Sequence, residues 1–197
     1  MGYREELGEL VRCLAVNQQE DAMLNGAEVG AAWGRTSKYL LGRFPQLSMH
    51  LVDTWRRHEP DSRYVKSGDA MPAMVDLYLD AMLLEIEQLQ EQYTSRARVH
   101  HTTSLEAAGS LDDDSLDFAF IDADHSYAAV TEDCRAWWPK VRAGGMLVGH
   151  DYVRLENLLP SHPAWTEGLI FAWDEFSVAV GNPIHVAADA ICWIHKL

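Results

Sequence analysis

The stretch Asn25-Gly26-Ala27-Glu28-Val29-Gly30-Ala31-Ala32-Trp33-Gly34 decides how this chain folds. Its first six residues read as a short strand ending on Gly30, and a helix follows over 34–43. Glycine at such a corner permits a tight turn and lets a ligand approach the backbone. Working outward, 47–53 is a second strand that closes on Asp53, and 97–102 is a third. The apolar run 117–122 is a fourth, and 146–150 a fifth entered through a turn at Gly144-Gly145. Apolar residues at helical spacing place helices over 72–92, 104–109 and 126–140 between them. A helix over 163–180 and two terminal strands, 184–187 and 190–195, complete the pattern. A further helix over 3–24 precedes the first strand, with Leu7, Leu10, Val11, Leu14 and Ala15 on one side. Such alternation implies a parallel sheet covered on both faces. Ligands in sheets of this kind bind outside the carboxyl ends of the strands. Gly30, Asp53, Asp122 and the pair His150-Asp151 all fall at those ends.

The 197 residues suit one domain, 1–197, with an N-terminal helix over 1–20 and a loop-and-helix insertion over 54–95. A hydrophobic fraction of 48% with 23% charged residues argues against disorder. The formal charge of -14 repels phosphate backbones and anionic lipid. Neither nucleic acid nor membrane is therefore an expected partner. A small neutral or cationic ligand, or a bound metal, suits the charge better. No run of about 18 apolar residues is present, and the charged start, Met1-Gly2-Tyr3-Arg4-Glu5-Glu6, lacks a signal-type apolar core. Cys13, Cys134 and Cys192 are too few and scattered for a disulfide scaffold or a zinc pair, so the expected compartment is the cytoplasm. Trp137, Trp138, Trp165 and Trp173 read as core, whereas Trp33 and Trp55 on tip loops read as pocket residues. Arg56-Arg57-His58 reads as a solvated loop within reach of an anionic substrate, and His100-His101 as part of a strand. The 72–92 helix has three readings: a cap over the substrate cleft, a homodimer surface or a cover for the sheet.

Asp53 lies 23 residues beyond Gly30. An acid about 20 residues past the first corner accepts hydrogen bonds from ribose hydroxyls, so adenosine is implied. A dinucleotide also needs a middle glycine where its pyrophosphate meets the backbone. Ala32 and then Trp33 stand there instead. S-adenosylmethionine has no phosphate and makes no such demand.

With those residues in place the chain resembles class I S-adenosylmethionine-dependent methyltransferases. The likeness runs through Glu28-Val29-Gly30 to Gly34-Arg35-Thr36-Ser37, Leu51-Val52-Asp53-Thr54-Trp55, Phe120 to Tyr127, and Gly144 to Tyr152. It is strongest to the small-molecule O-methyltransferases that include catechol and macrolide-sugar enzymes. The implied fold is a Rossmann-like, doubly wound, seven-stranded sheet, mostly parallel with an antiparallel C-terminal strand. The resemblance implies that Glu28, Gly30, Gly34, Thr36 and Ser37 hold the methionine end of the cofactor. Asp53 would hold ribose, Thr54 or Trp55 and Ser104 would flank adenine, and Asp122 would face the sulfonium. His150 and Asp151 match positions that carry acid–acid or acid–amide pairs in metal-dependent relatives, and His125 matches a position that often carries the general base.

The residues also speak for themselves. Asp122, His150 and Asp151 would converge at neighbouring strand ends, where two close carboxylates repel unless a cation intervenes. Oxygen ligands favour Mg²⁺, Ca²⁺ or Mn²⁺, and a histidine shifts the choice toward Mn²⁺, Fe²⁺ or Zn²⁺. The plainer reading has Asp122 and Asp151 capping the segments that follow them. His125 reads as a base of ordinary pKa near ~6.5, as a metal or substrate contact, or as helix-start packing. The expected activity is methyl transfer to a hydroxyl of a sugar, vicinal diol or phenol, with Asp122 and His125 catalytic and Mg²⁺ or Mn²⁺ assisting. The alternatives are a metal-independent O- or N-methyltransferase, a nicotinamide oxidoreductase, a non-catalytic adenosine-binding module, or another metal reaction on the same fold.

Overall fold

A computed structural model describes residues 2–16, 22–187 and 190–197. The elements are α1 (Tyr3–Val16), β1 (Leu24–Val29), α2 (Arg35–Arg43), β2 (Leu47–Asp53), α3 (Arg63–Lys66), α4 (Met71–Gln92), β3 (Ala97–His101), α5 (Ser104–Gly109), β4 (Leu116–Ile121), α6 (Tyr127–Trp137), β5 (Val141–Gly149), α7 (Thr166–Val180), β6 (Ile184–Val186) and β7 (Cys192–His195). The sheet order is β3-β2-β1-β4-β5-β7-β6. Neighbours from β3 to β5 are parallel, and β7 runs antiparallel to both β5 and β6. The doubly wound, seven-stranded expectation therefore holds, including the terminal hairpin.

Period-two alternation along the strands makes the two cores. Phe118, Phe120, Met146 and Val148 face one side and pack with α1, α2 and α4. Ala119, Ile121 and Leu147 face the other and pack with α5, α6 and α7. Central strands covered on both faces are largely apolar, and β4 is buried at every position, its one charged residue, Asp117, pairing with Arg142 at 2.6 Å.

Several expectations shift. α1 ends at Val16, and Leu24, expected within the helix, opens β1; part of the expected 3–24 helix lies outside the described residues. Gly144-Gly145 sits inside β5, which begins at Val141. Gly144 takes φ 79°, and the pairing with β4 slips there, so the glycines make an irregularity within the strand rather than a turn before it. The polar 54–70 segment contains α3, capped by the Ser62 hydroxyl. α6 stops at Trp137, and a 3₁₀ turn carrying Pro139 continues to Lys140. α4 packs Val75, Met82, Ile86 and Leu89 into the first core, so it covers the sheet.

Parallel register brings the tips together. The Gly30 N–H donates to the Val52 carbonyl, Asp122 N–H to Val29 and His150 N–H to Ile121. Gly30 has φ 89°, and a Cβ there would come within 2.1 Å of the Asp122 carbonyl oxygen. No larger residue fits without moving the β4 tip. No helix among the described residues is long and apolar enough to cross a membrane.

Candidate active site

Two cavities open at the strand tips and share Gly30 and Asp122 in their walls. The first, about 460 Å³, is lined by Asp53, Thr54, Ser104 and Asp133, with Arg63 and Tyr64 from the segment after β2. The second, about 300 Å³, is lined by Glu28, Thr36, Asp69, His125, His150 and Asp151, with Tyr3, Arg4, Trp33, Arg35 and Trp165 around them.

In the first cavity Asp53 clasps the corner. Its carboxylate accepts the Ala32 N–H at 2.9 Å and the Trp55 N–H at 2.9 Å. The Trp55 indole N–H returns to the Ala32 carbonyl at 2.8 Å. Ala32 and Trp55 both take left-handed backbone, with φ of 44° and 36°. Such conformations are costly for residues with a Cβ and persist only where neighbours enforce them. Trp55 is 3% exposed and packs in the first core, so its ring does not line the cavity. Thr54 does. Gly34 also lies away from the cavity wall, and a Cβ there would press on Ile86 and Leu89 of α4.

Ser104 donates its hydroxyl to Asp133 at 2.5 Å and accepts the Trp137 indole N–H at 2.9 Å. Burial pushes the Asp133 carboxyl up to about 7 despite that bond. Sequence reasoning passed over Asp133, which stands in mid-helix with nothing local to mark it. Glu28 is 3% exposed and accepts both the Ser37 N–H and its hydroxyl. Its carboxyl is likewise raised by burial to about 7. Glu28 and Ser37 thus brace each other behind the corner, and Thr36 bonds the Tyr3 hydroxyl of α1 at 3.2 Å.

The second cavity holds a denser charge cluster. His125 Nδ1 pairs with Asp69 at 2.6 Å. Its Nε2 lies 3.5 Å from Asp122 and 3.3 Å from Asp151, close enough for ion pairing but not aligned for a hydrogen bond. That Nε2 is buried and has no hydrogen-bond partner among the described residues. Burial works against charge on His125, but Asp122, Asp69 and Asp151 outweigh it and lift its pKa to about 10. His150 Nδ1 lies 3.3 Å from Asp122 and 3.4 Å from Asp151, and against the same burial these acids raise it to about 9. Burial opposes ionisation of Asp122 too, yet the two imidazoles hold its carboxyl well below the usual range.

One ligand atom from each of Asp122, His125 and Asp151 falls within 4.8 Å of the others. Separations of 3.3 and 3.5 Å from the imidazole nitrogen to the two carboxylates suit neighbouring ligands of one ion at roughly 2.1 Å. Asp69 completes a carboxylate–imidazole pair of the kind that orients metal-bound histidine. The orphaned Nε2 is the observation that fits a cation here. His150 stands beside this trio, its ring 4.2 Å from that of Tyr3. Asp69 and Tyr3 carried no sequence signal, since each reaches the cluster from a distant segment. Trp165 is half-buried at the edge of the second core, stacks on His125 at 4.5 Å and also lines the cavity. Trp137 and Trp173 are fully core, and Trp33 lines the second cavity as expected. Arg56 and His58 line the first cavity, whereas His100 bonds His50 across the β2–β3 edge at 2.8 Å.

A family described as methyltransferase domain matches residues 27–152, the span that carries every strand tip described above. The chain belongs to that family, whose class uses S-adenosylmethionine. No curated protein matches it. Among solved structures, a Corynebacterium glutamicum protein is 19% identical and superposes with a TM-score of 0.61, covering 98% of this chain and 81% of that one. A Staphylococcus aureus protein assigned as a caffeoyl-CoA O-methyltransferase is 13% identical, with a TM-score of 0.65 and coverage of 98% and 81%. Spermidine synthase from Thermotoga maritima is 13% identical, with a TM-score of 0.59 and coverage of 98% and 58%. At these identities the likeness is one of fold, and its breadth leaves the acceptor to be argued from the site.

Proposed function

We propose that this chain transfers the methyl group of S-adenosylmethionine to a hydroxyl of a small molecule that offers two adjacent oxygens, with a divalent cation held by Asp122, His125 and Asp151. The observation that carries the reading is the buried, unpartnered Nε2 of His125, aimed between two carboxylates where the two cavities meet. A pKa near 10 means that His125 without a cation keeps its proton at neutral pH. It would then make a poor general base, and a cation would have to displace that proton before Nε2 could serve as its ligand. His150, first read as a ligand, becomes the neighbour that neutralises Asp122.

A divalent ion bound there would offset the paired carboxylates and acidify a hydroxyl beside it. The protein's own part is positional. Gly30 lets the β1 and β4 tips close on each other beneath the cofactor, and Asp53 presents its remaining lone pairs to the ribose. Ser104 and Asp133 face the adenine end, and Glu28 and Thr36 the methionine end. Asp122, common to both cavities, fixes the line from sulfur to acceptor oxygen. Asp69 holds the His125 ring in one orientation, while Trp165 covers that ring and Tyr3 covers His150 beside it. In the transfer the acidified hydroxyl gives its proton to solvent, the C–S bond breaks with its electron pair left on the sulfur of S-adenosylhomocysteine as the O–C bond forms, and alignment at about 3–3.5 Å is the main source of rate.

The charge cluster also favours a second reading without a cation, in which the His125 imidazolium itself steadies the acceptor oxygen. Titration calorimetry with S-adenosylmethionine, with Mg²⁺, Mn²⁺ or EDTA, followed by radiolabelled transfer to catechol, separates the two. Cation binding that strengthens with pH, and transfer abolished by EDTA, is the expected result. Transfer undiminished by EDTA selects the second reading, and absence of cofactor binding defeats both.

A further inference from the structure

The charges of the second cavity do not balance evenly. Its acids all have partners: Glu28 binds Ser37, Asp69 binds His125, and Asp122 and Asp151 face both imidazoles. Arg4 and Arg35 line the same cavity, and neither forms an ion pair among the described residues. Each lies over an aromatic ring instead, Arg4 at 4.6 Å from the Tyr3 centroid and Arg35 at 4.9 Å from that of Trp33. A ring holds a guanidinium in place without cancelling its charge. The Nε of Arg4 is also buried with no hydrogen-bond partner among the described residues, a state that costs free energy until something accepts from it.

The cofactor brings one carboxylate, and Arg35 lies in the Gly34–Ser37 corner that would receive it. Arg4 comes from α1, outside that corner. It adjoins Tyr3, whose ring packs against His150 on the side of Asp122 and Asp151. We propose that Arg4 anchors a carboxylate on the acceptor, so that the preferred acceptor is a vicinal diol or catechol bearing an acid group. This rests on the methyl-transfer reading above and names its substrate class. The overall charge of -14 suggested a neutral or cationic ligand. The unpaired guanidinium reverses that choice locally.

Three probes share one diol and differ in charge: 3,4-dihydroxybenzoate, catechol and dopamine. Each is titrated into the protein loaded with S-adenosylhomocysteine and Mg²⁺. Dihydroxybenzoate is expected to bind about ten-fold or more tightly than catechol, as a charge-assisted hydrogen bond allows, with dopamine weakest. Arg4→Gln should bring dihydroxybenzoate down to the level of catechol, and Arg4→Lys should keep part of the preference. S-adenosylhomocysteine binding by each variant reports that it is folded. Equal affinity for dihydroxybenzoate and catechol, or a preference that survives Arg4→Gln, overturns the proposal. Loss of S-adenosylhomocysteine affinity in both variants, with the wild-type circular dichroism spectrum and melting transition retained, would assign Arg4 to the cofactor and overturn it as well. If the wild-type protein does not bind S-adenosylhomocysteine, the methyl-transfer reading fails and this proposal with it; binding without a charge preference removes this proposal alone.

Discussion

The two cavities share a floor and differ in how they are assembled. The first is framed by consecutive tips: Gly30 and Asp53 close β1 and β2, Ser104 opens α5, and Asp133 faces Ser104 from α6. The second draws Tyr3 from α1, Asp69 from the segment before α4, His125 from the β4–α6 turn and Trp165 from the approach to α7. One is made mostly of local corners, the other of long-range encounters. The difference explains why cofactor chemistry is widely shared on this fold while acceptor chemistry varies. The shared floor follows from sheet topology, and the remaining wall depends on loops that topology leaves free.

Asp122 is where the comparison can be broken, because it borders both cavities. Asp122→Ala should lower turnover about 10³-fold, in line with loss of a preorganised charge at the reacting centre. If turnover stays near wild type, the junction is in the wrong place. Asp53→Ala should then separate the halves. It removes the proposed ribose acceptor and releases the Ala32 and Trp55 N–H groups. Cofactor affinity should fall roughly 100-fold, given two charge-assisted bonds lost, while Mn²⁺ binding measured by electron paramagnetic resonance stays unchanged. Asp69→Asn is the mirror experiment. Cation affinity should drop about 10-fold or somewhat more, as for other outer carboxylates of metal-bound histidine, with cofactor affinity preserved. A fall in cofactor binding of the same size would merge the two halves.

The smallest effect is one of pH. Asp133 has a folded pKa of about 7 against an ordinary 3.8, so its contribution is fully present below about pH 3.8 and is lost as pH rises to about 7. Asp133→Asn removes that loss. The variant should gain a few °C in Tm on wild type between pH 5 and pH 8, since about 1 kcal/mol shifts a chain of this size by roughly 2–4 °C. A constant offset at both pH values would mean that Asp133 is not buried in its acid form.

Much of the frame was legible in the chain itself. β2 spans Leu47–Asp53 and α5 spans Ser104–Gly109 as read from the sequence, and the parallel tips meet where the spacing places them. These features rest on local periodicity and on a topology with few alternatives. The misses have a common physical cause. Trp165 has the size and spacing of a core residue, and only tertiary packing turns it onto His125. Trp55 follows an acid at a strand tip and looks like a pocket wall, yet its left-handed backbone sends the ring inward to bond Ala32. Asp69 and His125 are 56 residues apart, and no local rule couples them.

The Asp53 clasp carries a consequence for how the nucleoside arrives. Its two N–H bonds and the indole return bond secure the left-handed backbone at Ala32 and Trp55 while the chain folds, so the mould is cast before its guest appears. On the proposed function, recognition at that corner would be closer to a key entering a cut lock than to a hand closing, and mutations that loosen the casting should slow capture of adenosine before they hasten its escape.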